Sequence, residues 1–175
     1  ISTSSVNELD KAEEFLDDFF TSLFSDVKQV FYKRNVSKEK TSYQLYFKKL
    51  MYNKIVDVNF KQESSGTQYL LEILPFIISC IEGRTVVIDE IDTGIHDLLI
   101  NTILENICKS IKGQFIITTH NTILLESDCA KNNAYIFNVD HDANKKLLPL
   151  NSFEERIHPN LNIRKRYLKG LYGGV

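Results

Sequence analysis

The sequence predicts an α/β fold: a parallel-sheet lobe with an antiparallel strand pair attached and a helical segment at its start. Three observations carry that expectation. The hydrophobic period is helical over residues 5–24 and changes to two from Thr41. Two short apolar runs, in "TVVID" and "QFIITTH", flank a helical pattern within about 35 residues, the spacing of a right-handed parallel crossover unit. Both runs stop abruptly at polar residues, Asp89-Glu90 after the first and His120 at the end of the second.

The elements follow in order. Leu9, Ala12, Leu16, Phe19 and Leu23 recur at three- and four-residue spacing, and Ser5 and Glu8 have capping-box spacing. Tyr43, Leu45 and Phe47 alternate with polar residues, as do Val56, Val58 and Phe60, with "LMYN" between them. They predict an antiparallel pair over residues 42–50 and 54–62. "SSGTQYLLEILPFIISCIEG" reads as a glycine-containing turn and an apolar helix ending at Gly83, which Pro75 should kink or restart. "TVVID" is wholly apolar before its acid, as in a parallel sheet covered on both faces. Leu98, Leu99, Ile103, Leu104, Ile107 and Ile111 predict a helix from His96 to Ser110. "ILLES" reads as a short helix, and "NAYIFNVD" and "KKLLPL" as a hairpin around "HDANK". "NSFEERI" opens a helix with Ser152 and Glu155 at capping-box spacing, and the basic "IRKRYLKGLYGG" follows.

A chain of 175 residues suits one domain, and an apolar share of 43% is enough for a core. Lys+Arg of 21 against Asp+Glu of 23 argues against wholesale coating of nucleic acid and leaves room for a local basic patch. Cys80, Cys108 and Cys129 are far apart without metal-ligand spacing, so they are expected as reduced thiols of an intracellular, cytoplasmic protein. No apolar run approaches the ~20 residues of a membrane span, and no signal-peptide pattern is seen. The chain begins with Ile1, so it is expected to be a piece of a longer product.

Four features carry chemistry. In open parallel sheets, ligands bind beyond the carboxyl ends of the strands. Two carboxylates there can divide the work: one holds hydrated Mg²⁺ while the other orients or deprotonates a water. The plain alternative is a solvated acidic turn. "ESSGTQ", Glu63 to Gln68, offers backbone N–H groups and hydroxyls at a helix start, an anion site or an ordinary N-cap. His120 should lie beside Asp89-Glu90, able to bond a phosphate oxygen or a water, or serving only as a satisfied structural group. "TGIH", Thr93 to His96, turns the chain directly after the carboxylates.

The order of these four resembles the second half of an ABC-type ATPase nucleotide-binding domain, a P-loop NTPase lobe of the kind also found in SMC-like proteins. In that likeness "ESSGT" corresponds to the signature loop, "VVIDE" to the Walker B strand, "TGIH" to the D-loop and "TTH" to the switch-histidine loop. "SSGT", "IDEID", "GIH", "TTHN" and "RYLKGLYGG" look like the stand-alone AAA/ABC-like ATP-binding proteins of bacteria. That group is associated with DNA repair, overcoming-lysogenization-type systems and abortive infection against phage. The resemblance covers residues 40–175.

It implies ATP and Mg²⁺ as cofactors. Asp89 would hold Mg²⁺ through water, Glu90 would be the catalytic base and His120 would sense the γ-phosphate. Ser64, Ser65 and Gly66 would bind the γ-phosphate of a nucleotide held by a second subunit. Thr93, Gly94 and His96 would line the interface of a homodimer closed around ATP. Ser65 and Thr67 stand where transporter-type signatures have Gly and Gln/Glu, and His96 replaces the usual D-loop acid. The sequence contains no G-x-x-x-x-G-K-[ST] loop. The resemblance therefore implies that residues 41–175 are the C-terminal part of the ATPase domain, that 1–40 form a helical insertion, and that the chain alone binds ATP poorly. A nucleic acid or effector protein would receive the output.

Two rivals stand beside this reading. A Toprim-like metal-dependent nuclease also gathers acids at strand ends, and Asp140-His141-Asp142 superficially fits it, although the stretch reads better as a hairpin turn. A non-catalytic interaction module is the other. Arg164, Lys165, Arg166 and Lys169 could contact nucleic acid or form a solvated helix face.

Overall fold

The structure, a computed structural model, describes residues 3–37, 41–139, 142–153 and 162–173. The chain divides into two compact units, Ile1–Gln68 and Tyr69–Val175.

In the first unit, helix α1 (Thr3–Leu23) precedes three antiparallel strands in the order β1 (Val27–Val36), β2 (Thr41–Met51), β3 (Lys54–Asn59). Tyr52 and Asn53 join β2 to β3 with φ of 49° and 60°, the two left-handed positions of a type I′ hairpin. Leu16 and Phe20 of α1 are buried, and Phe20 meets Phe47 of β2 edge-on at 4.9 Å. The outer edge of β1 is not left open. Its Val30 and Tyr32 N–H groups donate to the Asp17 and Glu13 carboxylates of α1, both at 2.6 Å. Occupying edge donors in this way blocks strand addition.

Residues 1–40 were expected to be helical, and β1 corrects that reading for Val27–Val36. A bulge shifts the register between Val27 and Gln29, so Val27 and Val30 both face inward at a helix-like spacing. Ser5 lies inside α1 rather than at its cap.

Helix α2 (Ser65–Ile81) runs through Pro75 and closes at Gly83, whose φ of 104° suits the left-handed C-cap position. In the second unit, β4 (Thr85–Ile88) and β5 (Gln114–Ile117) pair in parallel, with Val86 opposite Phe115 and Ile88 opposite Ile117. Helix α3 (Asp97–Cys108) makes the crossover and buries Ile100, Ile103, Leu104 and Ile107. Gly113 enters β5 so close to the Arg84 carbonyl that a Cβ would collide with it. The sheet was expected to be covered on both faces. Val86 is buried, but Val87 and its register partner Ile116 are 67% and 44% exposed, so one face is open among the described residues.

A 3-10 turn (Thr122–Glu126) and α4 (Asp128–Asn133) lead to the expected hairpin, β6 (Tyr135–Val139) with β7 (Lys145–Pro149). "NSFEERI" begins as a 3-10 turn, Leu150–Phe153, and Glu155 lies outside the described residues. Helix α5 (Ile163–Tyr167) closes a small core in which Ile136, Leu150, Ile163 and Tyr172 are buried. The expectation of three reduced thiols is also corrected. Cys108 at the end of α3 is disulfide-bonded to Cys129 in α4, while Cys80 is free and buried. Their separation of 21 residues hid a proximity that only the fold creates.

Candidate functional site

Because β4 and β5 run parallel, their carboxyl ends lie side by side. The ladder continues past both strands. Thr118 N–H donates to Ile88 O at 3.1 Å, and Ile91 N–H donates to Thr118 O at 3.1 Å. Asp89 and Glu90 are therefore held astride Thr118. Its hydroxyl donates to Asp89 Oδ1 and accepts from Glu90 N–H at 2.9 Å. Glu90 has φ of 48°, a left-handed conformation costing a non-glycine residue roughly 1–2 kcal/mol. The cost is met where the neighbouring strand fixes the backbone on both sides, and the result is a carboxylate turned outward.

Glu90 Oε1 lies 3.6 Å from His120 Nε2, with side-chain exposures of 57% and 90%. At that exposure the pair contributes little to stability. Its importance is placement. Thr93 Oγ1 reaches Glu90 Oε2 at 3.5 Å, and Thr93 N–H donates to Glu90 O at 3.0 Å. Gly94, with φ of 73°, carries the turn onward, and buried Ile91 and Ile95 anchor it. His96 ends it as the N-cap of α3, its Nδ1 accepting from Leu98 N–H at 3.3 Å. Asn121 Nδ2 then donates to Asp97 Oδ1 at 3.0 Å, tying the segment after His120 to the start of α3.

A hollow of about 300 Å³ opens beside the pair, with Asp92, Asp97, His120, Asn121 and Arg164 among its walls. Asp92 Oδ1 is buried without a hydrogen-bond partner among the described residues. Burial, together with the charges of Asp92 and Glu72, pushes the Tyr69 hydroxyl above its ordinary pKa. Arg164 comes from α5. Its Nε donates to Thr122 Oγ1 at 3.2 Å and its Nη1 sits 3.5 Å from Glu126 Oε1. Part of the basic tail is thus folded onto the histidine segment.

The serine–glycine turn belongs to the first unit and is built differently. Ser64 Oγ accepts from Thr67 N–H at 3.2 Å and shares a 2.9 Å hydrogen bond with Thr67 Oγ1. Gly66 and Thr67 are buried, while Ser65 is exposed. Glu63, just before the turn, receives Lys49 Nζ at 3.1 Å, and Gln68 Nε2 donates back to Glu63 O at 2.8 Å.

The second unit therefore gathers Asp89, Glu90, Thr93 and His120, with Gly94 and His96 shaping the same turn. Sequence reasoning quoted Thr118 and Asn121 only within the histidine motif and Arg164 only in the basic tail, and assigned none of them a place in the site. The signal for Thr118 was a polar residue directly after the apolar run "FII", in register with the acids. Of the rival Asp140-His141-Asp142 motif, Asp140 and His141 lie outside the described residues.

The donor set suits Mg²⁺. Among the described residues no group of three or more His, Cys, Asp or Glu could cage a metal. Mg²⁺ needs no such cage, since it keeps waters and uses one or two carboxylates with substrate phosphates. The exposed Asp89 carboxylate, fixed at one oxygen by Thr118, fits that habit.

The architecture is a mixed α/β fold with parallel and antiparallel sheets, similar to that of P-loop-class ATPases. A solved structure described as "Structural biochemistry of ATP-driven dimerization and DNA stimulated activation of SMC ATPases" is similar over 97% of this chain and 96% of that chain, with a TM-score of 0.61 at 14% identity. At that identity the likeness shows the fold. The family model "AAA domain, putative AbiEii toxin, Type IV TA system" matches residues 3–126. The chain belongs to that family and is an AAA/ABC-like ATP-binding protein. No curated protein sequence matches it. No described helix is long and apolar enough to cross a membrane.

Proposed function

We propose that the chain carries the hydrolytic half of a Mg²⁺-dependent ATPase site, with Asp89, Glu90 and His120 as its working groups. The observation that supports this most is the Thr118 clamp, which holds two adjacent carboxylates at one strand end with His120 Nε2 3.6 Å from Glu90. Glu90 accepts the proton of the attacking water through its outward carboxylate. His120 Nε2 holds a γ-phosphate oxygen close to that water. Asp89, aligned by Thr118, presents its free oxygen to the hydration shell of the metal. Mg²⁺, when bound with nucleotide, neutralises charge that develops on the transferred phosphoryl group.

The phosphate cradle comes from another segment or chain. The sequence has no G-x-x-x-x-G-K-[ST] loop, and the exposed Val87–Ile116 face is the kind of surface that parallel sheets cover. Because β1 pairs with β2 across residues 36–41 and the family match begins at residue 3, the segment before residue 41 belongs with the rest, and the two together are then the C-terminal part of the ATPase domain. ATP closes a homodimer, with Ser65 and the N–H groups around Gly66 offered to the partner's γ-phosphate and Thr93, Gly94 and His96 at the interface. Ser64 would contribute there only by releasing its cap. The dimer works in the cytoplasm, and its opening drives a nucleic-acid or protein effector in DNA repair or phage defence. The solved structure of similar fold is described in terms of ATP-driven dimerization and DNA-stimulated activation.

The test is ATP turnover by the full-length protein beside Glu90→Gln. Loss of turnover with ATP binding retained is expected. Equal turnover overturns the assignment.

A further inference from the structure

Helix α3 is fastened to the histidine segment at both ends. At its start, Asp97 accepts from Asn121 Nδ2 at 3.0 Å, one residue beyond His120. At its end, Cys108 is bonded to Cys129, their Cα atoms 6.4 Å apart. Cys129 stands in the first turn of α4, and that turn is itself tied back toward His120. Ser127 caps α4 by accepting from Ala130 N–H at 3.1 Å, and its hydroxyl donates to Leu124 O at 2.8 Å. Leu124 is buried in the 3-10 turn that Asn121 caps. The crossover helix behind the acid loop and the segment behind His120 thus form a closed frame, with a hydrogen bond as one fastener and a disulfide as the other.

The two fasteners differ in what can undo them. Cys108 is exposed and Cys129 half-buried, so small thiols and disulfides can reach the bond. Accessible disulfides are the labile and regulatory ones, whereas resistant staples are sheltered. The third cysteine does not compete. Cys80 is buried, and burial pushes its thiol above the ordinary range, which leaves little thiolate to attack the bond.

We propose that the Cys108–Cys129 pair is a reversible redox latch that regulates the acid–histidine site. The inference rests on the ATPase reading for its consequence, but not for the latch itself. Oxidised, the bond fixes α3 against α4 and keeps Glu90 and His120 in register. Reduced, α3 keeps the packing of buried Ile103, Leu104 and Ile107 but loses its covalent tie to α4, and the Asp97–Asn121 hydrogen bond is the fastener that remains. Closure consumes a small disulfide such as oxidised glutathione. One thiolate attacks it to form a mixed disulfide and expels one glutathione thiolate. The second cysteine displaces the other, and the two protons lost from the cysteines end on two glutathione thiols.

The experiment uses the full-length protein, equilibrated in glutathione buffers from reduced to oxidised, with three readouts. Intact mass and peptide mapping follow the bond. Amide hydrogen exchange follows residues 89–97 and 118–126. Steady-state ATP turnover follows function. Oxidation is expected to remove two hydrogens per chain at Cys108 and Cys129 and to slow exchange in both segments. Reduction is expected to lower turnover by about fivefold or more, the low end of ordinary coupling between sites. Cys108→Ser should behave as the reduced protein at every redox setting.

A Cys108–Cys129 bond that never forms overturns the proposal. So does exchange that is indifferent to redox state, or turnover that is equal or faster when reduced. If no state turns over ATP while bond and exchange respond as expected, the latch stands and the ATPase reading falls.

Discussion

Two polar turns in this chain, Glu63–Gln68 and Asp89–Thr93, have opposite construction. In the first, the hydroxyls of Ser64 and Thr67 bond each other, Ser64 caps the helix, and the Lys49 ammonium holds Glu63. Nearly every polar group that precedes α2 already has a partner inside the fold. In the second, the backbone is fixed just as firmly through Thr118, but the carboxylate of Glu90 and the ring of His120 remain mostly in solvent. One turn satisfies itself. The other is rigid in its main chain and open in its side chains, which is what a group must be if it is to meet a substrate. A polar motif therefore says less about function than the number of its groups left over once the fold is complete.

The largest effect that would sharpen this contrast is at the open turn. Asp89→Asn should lower ATP turnover on the order of 100-fold, as expected for loss of one preorganised charged group. The melting temperature should barely move, because the side chain is exposed. Stability loss without loss of turnover would make the open turn another structural one.

Thr118→Val tests the clamp. It keeps shape and removes the hydroxyl that serves both acids, so kcat should fall about tenfold with KM little changed, alongside about 1 kcal/mol of stability. Thr118→Ser should restore most of the rate. A rise in KM alone would show that the hydroxyl serves binding rather than alignment.

At the closed turn the effects move from rate to folding. Glu63 is 5% exposed at its side chain, so Lys49→Met leaves a buried carboxylate without its ammonium. The expected loss is about 2 kcal/mol in urea unfolding. The pH dependence has a definite sign. Burial would lower the Lys49 pKa, but the hydrogen bonds and charges of Glu63 and Asp26 outweigh it and hold it above the ordinary 10.5. The stabilisation from this lysine is thus fully present below pH 10.5 and lost as pH rises through the higher folded value. Alkaline titration of wild type should show that loss, and Lys49→Met should not. Ser64→Ala should cost about 1 kcal/mol, an ordinary N-cap loss, measured by the same unfolding. A rate effect larger than its stability effect would show that the turn also meets nucleotide.

Much of this was legible in the sequence. The parallel unit was visible because "TVVI" and "QFII" are short, apolar and separated by a helical period, and the structure pairs them residue for residue. The acids and His120 drew notice because two apolar runs end abruptly in them. Strand β1 was hidden by its bulge, which breaks the alternation that marks a strand. Thr118 and Arg164 were hidden for another reason. Each acts on residues 28 to 42 positions away, and no local period reports such pairings. The disulfide was hidden in the same way. Ser64 could be read as an anion ligand or as an N-cap, and the fold uses it as a cap; the sequence could not separate the two because both draw on the same hydroxyl and the same N–H groups.

The most direct test of the account is the full-length protein beside Glu90→Gln, with ATP turnover and molecular mass by light scattering measured on the same samples. With Glu90 as the base, the variant loses about 100-fold or more in turnover, and ATP with Mg²⁺ now holds it as a stable dimer. Equal turnover in both proteins, or a variant that slows without ever accumulating a dimer, would contradict it.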